Sequence, residues 1–151
     1  MTGQTSRVKV YTSSVIDAPA DKVWGHVRDF NGLPRWVPAV ADSRIENGLP
    51  ADRVGCIRNF NLKDGGNIRE QLLALSDYEY SVTYSILASP MGVHNYVATL
   101  KLTPVTDGER TFAEWTAEFE CEFGREQTLA DQIGQGVFQA AFDNLKRQLQ
   151  R

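Results

Sequence analysis

Residues 125–150, REQTLADQIGQGVFQAAFDNLKRQLQ, decide the fold because they carry the longest helical pattern in the chain. This pattern predicts one long helix with a single buried face. A helix of about 26 residues would be roughly 39 Å long, enough to cross a sheet of ten-residue strands, which are about 33 Å long. The apolar residues of the stripe are Leu129, Ile133, Val137, Ala141, Leu145 and Leu149 at every fourth position, widened by Phe138 and Phe142.

Two glycines, Gly134 and Gly136, interrupt this predicted helix. Each weakens it by about 1 kcal/mol relative to alanine. Relief of crowding where the helix passes over the cavity would explain them, and so would a need for the helix to flex. The sequence leaves both explanations open.

Strand-like segments fill the region before the long helix. Residues 8–16 are rich in β-branched side chains and predict a first strand. From residue 40 to residue 123, apolar and polar side chains alternate with a period of two, which is typical of half-buried strands. Turn-forming sequences interrupt the alternation at residues 47–50, 63–66, 76–77, 89–92 and 106–108. Because these connections are short, they predict consecutive antiparallel hairpins.

Two short helices are predicted between the first strand and the hairpins. The first follows Pro19, which suits the first turn of a helix, and the second covers residues 33–36. Together the elements predict an α+β helix-grip fold, in which a curved antiparallel sheet of six to seven strands wraps around the long C-terminal helix. A curved sheet and one helix rarely fill the space between them, so we expect an internal cavity.

The chain of 151 residues has the size of a single domain, which we assign to residues 8–151, with a disordered tail at residues 1–7. A net charge of -3 and the lack of a basic stripe argue against nucleic acid as a partner. We find neither a signal peptide nor an apolar run of about 18 residues, so we expect a cytoplasmic protein without membrane insertion. The oligomeric state, monomer or homodimer, stays open.

Metal and redox chemistry are not expected. Cys56 and Cys121 are isolated among apolar neighbours, which is typical of reduced core cysteines. His26 and His94 are the two histidines of the sequence, too few for the usual zinc or iron sites. We therefore predict neither a metal site nor a cofactor.

Two charged residues break the apolar faces of the predicted strands. Arg58 shares a face with Phe60 in the third strand, and Glu70 shares a face with Leu72 and Ala74 in the fourth. An unpaired charge in the interior is very costly, so inward side chains would have to pair with each other, with water or with a ligand. The more common alternative is an exposed position at an edge or rim of the sheet.

The pairing of Arg58 with Glu70 depends on the connection at residues 63–66. A three-residue loop with glycine in the left-handed conformation would place both side chains on the inner face. A two-residue turn at Asp64-Gly65 would instead place Arg58 opposite Gln71 and send Glu70 to the other face. The sequence is compatible with either turn.

Aromatic and aliphatic residues on the other inner faces are expected to line the cavity. Tyr96 shares a face with His94 in the sixth strand, and Trp115 shares a face with Phe119 and Phe123 in the seventh. Such aromatic residues are often plain core residues whose polar ends find a partner, a role that is compatible with lining a pocket. The predicted ligand-binding residues are Trp36, Phe60, Leu72, Tyr84, Ile86, Trp115, Phe119, Ile133, Val137 and Phe138.

A motif near the start of the chain carries a family resemblance. Residues 16–24, IDAPADKVW, are followed by Asp29-Phe30 and by residues 33–36, LPRW. This pattern resembles the START/SRPBCC superfamily in its polyketide cyclase/dehydrase-like branch, which is related to the birch-pollen allergens. The resemblance extends over residues 8–150 and implies the helix-grip fold, but no particular chemistry.

A second set of motifs contains the charged residues of the inner faces. The motifs are residues 55–58 (GCIR), 69–72 (REQL) and 95–99 (NYVAT). They resemble the corresponding stretches of the plant lachrymatory factor synthases. That resemblance implies that Arg58, Glu70 and Tyr96 are catalytic, and it favours an inward pair of Arg58 and Glu70.

The same motifs resemble the plant abscisic-acid receptors, which are ligand sensors. Residues 63–66 and 89–92 take the places of the gate and latch loops of that family, but its gate sequence is absent from residues 63–66. Two functions therefore stay open. One is the binding of a small apolar or amphipathic molecule. The other is a cofactor-independent lyase, isomerase, cyclase or dehydratase, in which Glu70 would move a proton, Arg58 would stabilise negative charge and Tyr96 would orient the substrate.

Overall fold

A computed structural model describes residues 4–150 of the chain. The strands are β1 (Thr5–Ile16), β2 (Val40–Ile45), β3 (Ile57–Leu62), β4 (Asn67–Ser76), β5 (Ser81–Ala88), β6 (Val93–Val105) and β7 (Arg110–Glu122). Within the described residues they form one curved, seven-stranded sheet in the spatial order β1-β7-β6-β5-β4-β3-β2. Every neighbouring pair is antiparallel, and β2 to β7 follow one another as the hairpins that the turn sequences predict.

The helices confirm the predicted α+β helix-grip fold. Helix α1 (Ala20–Val27) and a 3-10 turn (Leu33–Arg35) are the two short helices after β1. The long C-terminal helix consists of α2 (Glu126–Ile133), a π-helical segment (Gly134–Gln139) and α3 (Ala140–Gln148). Its apolar stripe packs into the core that the sheet surrounds.

The π-helical segment changes which side chains of the C-terminal helix are buried. A π-helix has a wider turn than an α-helix, so the four-residue spacing of the stripe shifts there. Phe138 is therefore fully buried, whereas Val137 is only partly buried. At Gly134 the helix approaches β1 closely, since an added Cβ would lie 3.2 Å from Cγ1 of Val10. The crowding at Gly134 is therefore against β1 rather than over the cavity, whereas Gly136 lines the cavity.

The sequence predicts a disordered tail at residues 1–7, and the structure corrects this prediction. Strand β1 begins at Thr5 rather than at residue 8. Thr5 pairs with Glu122, and Arg7 pairs with Glu120. Strand pairing uses backbone groups, so the polar side chains of this segment do not prevent it. Residues 1–3 of the predicted tail lie outside the described residues.

Three residues that were predicted on the inner face, Ala74, His94 and Phe123, are exposed instead. A register shift between Leu72 and Ala74 turns Ala74 outward in β4. A second shift, between His94 and Val97 in β6, turns His94 outward. Such bulges add a residue to one strand and so reverse the alternation of side chains beyond them. Phe123 lies just past the end of β7.

On the outer face of the sheet, the carboxylate of Glu46 joins three neighbouring strands. Glu46 follows β2 directly and accepts two hydrogen bonds from Arg69 in β4, at 2.7 and 2.9 Å. It also accepts one from Asn59 in β3, at 3.0 Å. Arg69, and then Asn59, lower the pKa of the Glu46 carboxyl to about 2, because these hydrogen bonds favour the charged form.

This low pKa predicts that Glu46 contributes to the acid sensitivity of folding. A carboxyl with a lowered pKa stabilises the folded state above its ordinary pKa of 4.5, and the contribution is lost as the pH falls towards about 2. We expect Glu46→Gln to lower the free energy of unfolding at pH 7 and to flatten its decrease between pH 4.5 and pH 2. Urea unfolding at a series of pH values measures this, with the exposed Glu118→Gln as control. Equal slopes for the two variants would contradict the prediction.

Candidate functional site

A cavity of about 370 Å³ lies between the sheet and the C-terminal helix. Its walls are mostly apolar, and its polar groups come from β3, β4, β5 and β6, from the β3–β4 loop and from Gln132 of the C-terminal helix. The lining residues are Leu33, Val37, Ala39, Val40, Arg58, Phe60, Leu62, Lys63, Asp64, Ile68, Glu70, Tyr84, Ile86, Met91, Tyr96, Trp115, Gln132, Ile133, Gly136, Val137 and Phe138. This volume lies in the range of sites for small organic molecules.

The connection between β3 and β4 determines the polar part of the wall. The Leu62 N–H donates to the Gly66 carbonyl at 2.7 Å, so three residues, 63–65, form the loop. Gly65 has a φ of 97°, the left-handed conformation that such a loop requires. Arg58 is therefore directly opposite Glu70, as the three-residue alternative predicts.

Arg58 and Glu70 form a buried ion pair on the cavity wall. Nε and Nη2 of Arg58 both bind Oε1 of Glu70, at 2.8 and 2.6 Å. Only 5% of Arg58 and 6% of Glu70 is exposed. Burial raises the pKa of the Glu70 carboxyl above its usual value, and the positive charge of Arg58 opposes that rise.

The guanidinium of Arg58 is also held by groups outside the ion pair. Nη1 donates to the carbonyl oxygen of Phe30 at 3.1 Å. The centre of the guanidinium lies 3.9 Å from the centroid of the Phe30 ring and 4.6 Å from that of Tyr84. Both rings present their electron-rich faces to the cation, which stabilises it in a dehydrated position.

Two tyrosine hydroxyls add neutral polar groups to the same wall. Tyr84 accepts a hydrogen bond from Nε1 of Trp115 at 3.1 Å and interacts with the hydroxyl of Tyr96. The Tyr96 ring stacks on Phe119 at 5.6 Å. Burial raises the pKa of both tyrosines, so both keep their hydroxyl hydrogen at neutral pH.

The structure brings most of the predicted site residues together. Arg58, Glu70 and Tyr96, for which the family resemblance implies catalytic roles, all line the cavity. So do seven of the predicted ligand-binding residues, namely Phe60, Tyr84, Ile86, Trp115, Ile133, Val137 and Phe138.

Three predicted ligand-binding residues, Trp36, Leu72 and Phe119, are buried but lie outside the cavity lining. Trp36 packs against Trp115 with ring centroids 5.4 Å apart. Phe119 lies behind Tyr96, on which it stacks. These side chains support the wall of the cavity, because the inner face of a sheet contacts the helix in some places and the cavity in others.

Other lining residues were not predicted from the sequence. Leu62 and Ile68 share the inner faces of Arg58 and Glu70, so the alternation of the strands could have identified them. Lys63 and Met91 belong to loops without periodicity, where no sequence signal was available. The remaining unpredicted residues are Leu33, Val37, Ala39, Val40, Asp64, Gln132 and Gly136.

The exposed residues of the lining mark the mouth of the cavity. They come from the β3–β4 loop, at Lys63 and Asp64, and from the C-terminal helix, at Gln132 and Gly136. A Cβ added to Gly136 would have no atom within 4 Å, so this part of the helix faces open space.

Among residues 4–150, no group of three or more histidine, cysteine, aspartate or glutamate side chains is placed to hold a metal ion. Cys56 and Cys121 are free and buried. None of the helices between residues 4 and 150 combines the length and the apolar character of a membrane-spanning segment.

The fold and the cavity define the class: a helix-grip protein with an internal site of the size that a small organic molecule occupies. Residues 7–150 match the family described as "Polyketide cyclase / dehydrase and lipid transport". The chain belongs to this family, which confirms the resemblance to the polyketide cyclase/dehydrase-like branch.

Solved structures agree with this assignment. The XoxI protein of Bacillus cereus is 26% identical, with 94% of this chain and 95% of that chain covered at a TM-score of 0.82. A Thermobifida fusca protein is 27% identical, with 93% and 92% covered at a TM-score of 0.85. Norcoclaurine synthase of Thalictrum flavum, solved as a point mutant with a transition state analogue, is 16% identical and shares the fold, with 97% and 96% covered at a TM-score of 0.74. The search of curated proteins gives no significant match.

The ion pair predicts an asymmetric response to mutation. Arg58→Met leaves the Glu70 carboxylate buried without its cation, so we expect a loss of about 3 kcal/mol in the free energy of unfolding. The double variant Arg58→Met with Glu70→Leu removes both charges and should recover most of that loss. Urea unfolding of the two variants and the unmodified protein measures the difference. If the double variant is less stable than Arg58→Met, the two charges do not form a coupled buried pair.

Proposed function

We propose that this protein binds a small apolar or amphipathic molecule inside the cavity. The observation that carries the proposal is the Arg58–Glu70 ion pair, which is buried at the wall of a 370 Å³ cavity with mostly apolar sides. Apolar walls would hold the body of the ligand, and the ion pair with the hydroxyls of Tyr84 and Tyr96 would hold its polar end. Membership of a family whose description includes lipid transport supports this function.

The energetics of the pair support a role in recognition. Two charges that are taken out of water cost several kcal/mol, and well-packed apolar side chains of similar volume are often as stable or more stable. Stability alone therefore gives little reason for Arg58 and Glu70 at these positions. A ligand that forms hydrogen bonds to the ion pair would provide a reason for the two charged residues at these positions.

A second candidate is a cofactor-independent enzyme of the polyketide cyclase/dehydrase or lyase/isomerase type. The raised pKa of Glu70 favours it, because such a carboxyl exchanges a proton closer to neutral pH. Arg58 would stabilise negative charge that develops on the substrate, and Tyr96 would orient the substrate. Norcoclaurine synthase, which shares the fold, has been solved with a transition state analogue.

Binding in the cavity predicts a specific effect of Gly136→Leu. The new side chain enters open space at the mouth without a clash, so it should narrow the cavity and leave the fold intact. We expect the affinity for the fluorescent apolar probe N-phenylnaphthylamine to fall by at least roughly tenfold. Gln135→Leu, at an exposed neighbour outside the lining, is the control. Binding that is weakened equally by both variants, or by neither, would place the probe elsewhere.

The enzyme candidate predicts that turnover requires the Glu70 proton. The purified protein is incubated with small carbonyl compounds, and any substrate found is then tested with Glu70→Gln. We expect the variant to lose at least roughly 100-fold in kcat, since an amide cannot exchange the proton. Glu118→Gln, at an exposed position on β7, should keep the activity. Equal turnover by Glu70→Gln would exclude this mechanism and leave the binding function.

A further inference from the structure

We infer that the cavity selects ligands that carry no net charge at neutral pH, an inference that rests on the proposed binding function. Among the described residues that line the cavity, the charged ones are Arg58, Lys63, Asp64 and Glu70. Two are positive and two are negative, so the formal charge of the wall is zero. Arg58 and Glu70 form an ion pair at the inner wall, and Lys63 and Asp64 are consecutive residues at the mouth.

At the inner wall, the charge of Arg58 is already neutralised by Glu70, and three of its five N–H groups are bound. Nε and Nη2 are bound to the Glu70 carboxylate, and Nη1 is bound to the Phe30 carbonyl. The rings of Phe30 and Tyr84 flank the guanidinium. A ligand carboxylate would have to displace Glu70 or lie beside it, where the two negative charges repel each other.

A ligand cation meets the corresponding difficulty. The carboxylate of Glu70 is neutralised by Arg58 at 2.6 Å, and the guanidinium repels a second positive charge. The loss of hydration of any ion that enters the cavity is therefore not compensated by a free charge of opposite sign. At the mouth, Lys63 and Asp64 are exposed and adjacent, so water and salt screen their effect on a ligand.

Uncharged oxygen groups fit the same wall well. Trp115 donates to the Tyr84 hydroxyl oxygen, so the hydrogen of that hydroxyl has to be donated to another acceptor. Tyr84 and Tyr96 also interact with each other, so one of the two hydroxyl hydrogens stays within this pair and the other can be donated to a ligand. The class of ligand is thus an uncharged amphipathic molecule with a carbonyl, ester, phenol or alcohol oxygen at one end.

Two matched fluorescent probes test the inference. Anilinonaphthalene sulfonate and the corresponding sulfonamide have the same apolar body and polar groups of similar size, but only the sulfonate is charged at pH 7. We expect the unmodified protein to bind the sulfonamide at least roughly tenfold more tightly. Glu70→Gln leaves the Arg58 charge without its partner and should reduce this ratio at least roughly tenfold.

Glu118→Gln is the matched control, because it removes one negative charge from an exposed position on β7 outside the cavity lining instead of from the inner wall. We expect it to change the ratio by less than about threefold, since exposed charges are screened. Equal affinities of the unmodified protein for the two probes would overturn the inference of charge selectivity while leaving the binding function. This comparison of the two probes uses only the unmodified protein, so it does not depend on the folding of Glu70→Gln. If neither probe binds, the binding function and this inference both fall.

Discussion

The candidate site depends on the register between β3 and β4. A loop of three residues, 63–65, places Arg58 directly opposite Glu70, so that two opposite charges are neighbours on the inner face. A loop that is one residue shorter would move Glu70 to the outer face and leave the guanidinium alone in the interior, which is prohibitively costly. The carbonyl of Phe30 and its ring complete the surroundings of Arg58, and thereby connect the segment after α1 to the sheet.

The shape of the C-terminal helix determines what the ion pair faces. At Gly134 the helix contacts β1 closely, and two residues later, at Gly136, it borders open space. Both glycines lie in the π-helical segment, whose wider turn also brings Phe138 onto the Trp115 ring at 4.1 Å. The helix thus closes one side of the sheet and leaves a cavity over the other. The pair lies at the wall of that cavity, which gives a physical reason for charged side chains in an otherwise apolar interior.

Most of the fold could be predicted from the sequence. The alternation of apolar and polar residues in the strands, and the four-residue spacing of apolar residues in the C-terminal helix, indicate which side chains are buried. The register of β3 and β4 could be reduced to two alternatives but not decided, since the conformation of Gly65 depends on the folded loop. The bulge that turns His94 outward cannot be recognised from the alternation of apolar and polar residues in the sequence. The pairing of residues 5–7 was missed because backbone hydrogen bonds need no apolar side chain. Alternation also does not distinguish a wall residue such as Phe60 from a supporting residue such as Leu72.

The most direct measurement is whether a molecule in the cavity touches the ion pair. The Nε–H group of Arg58 is buried and bound to Glu70, so it should give a slowly exchanging signal in a 15N NMR spectrum, identified by its loss in Arg58→Met. We expect saturation with the sulfonamide probe to shift this signal and to leave that of the exposed Arg44 unchanged. An unchanged Arg58 signal in protein that has bound the probe would contradict a ligand site built on these two charges.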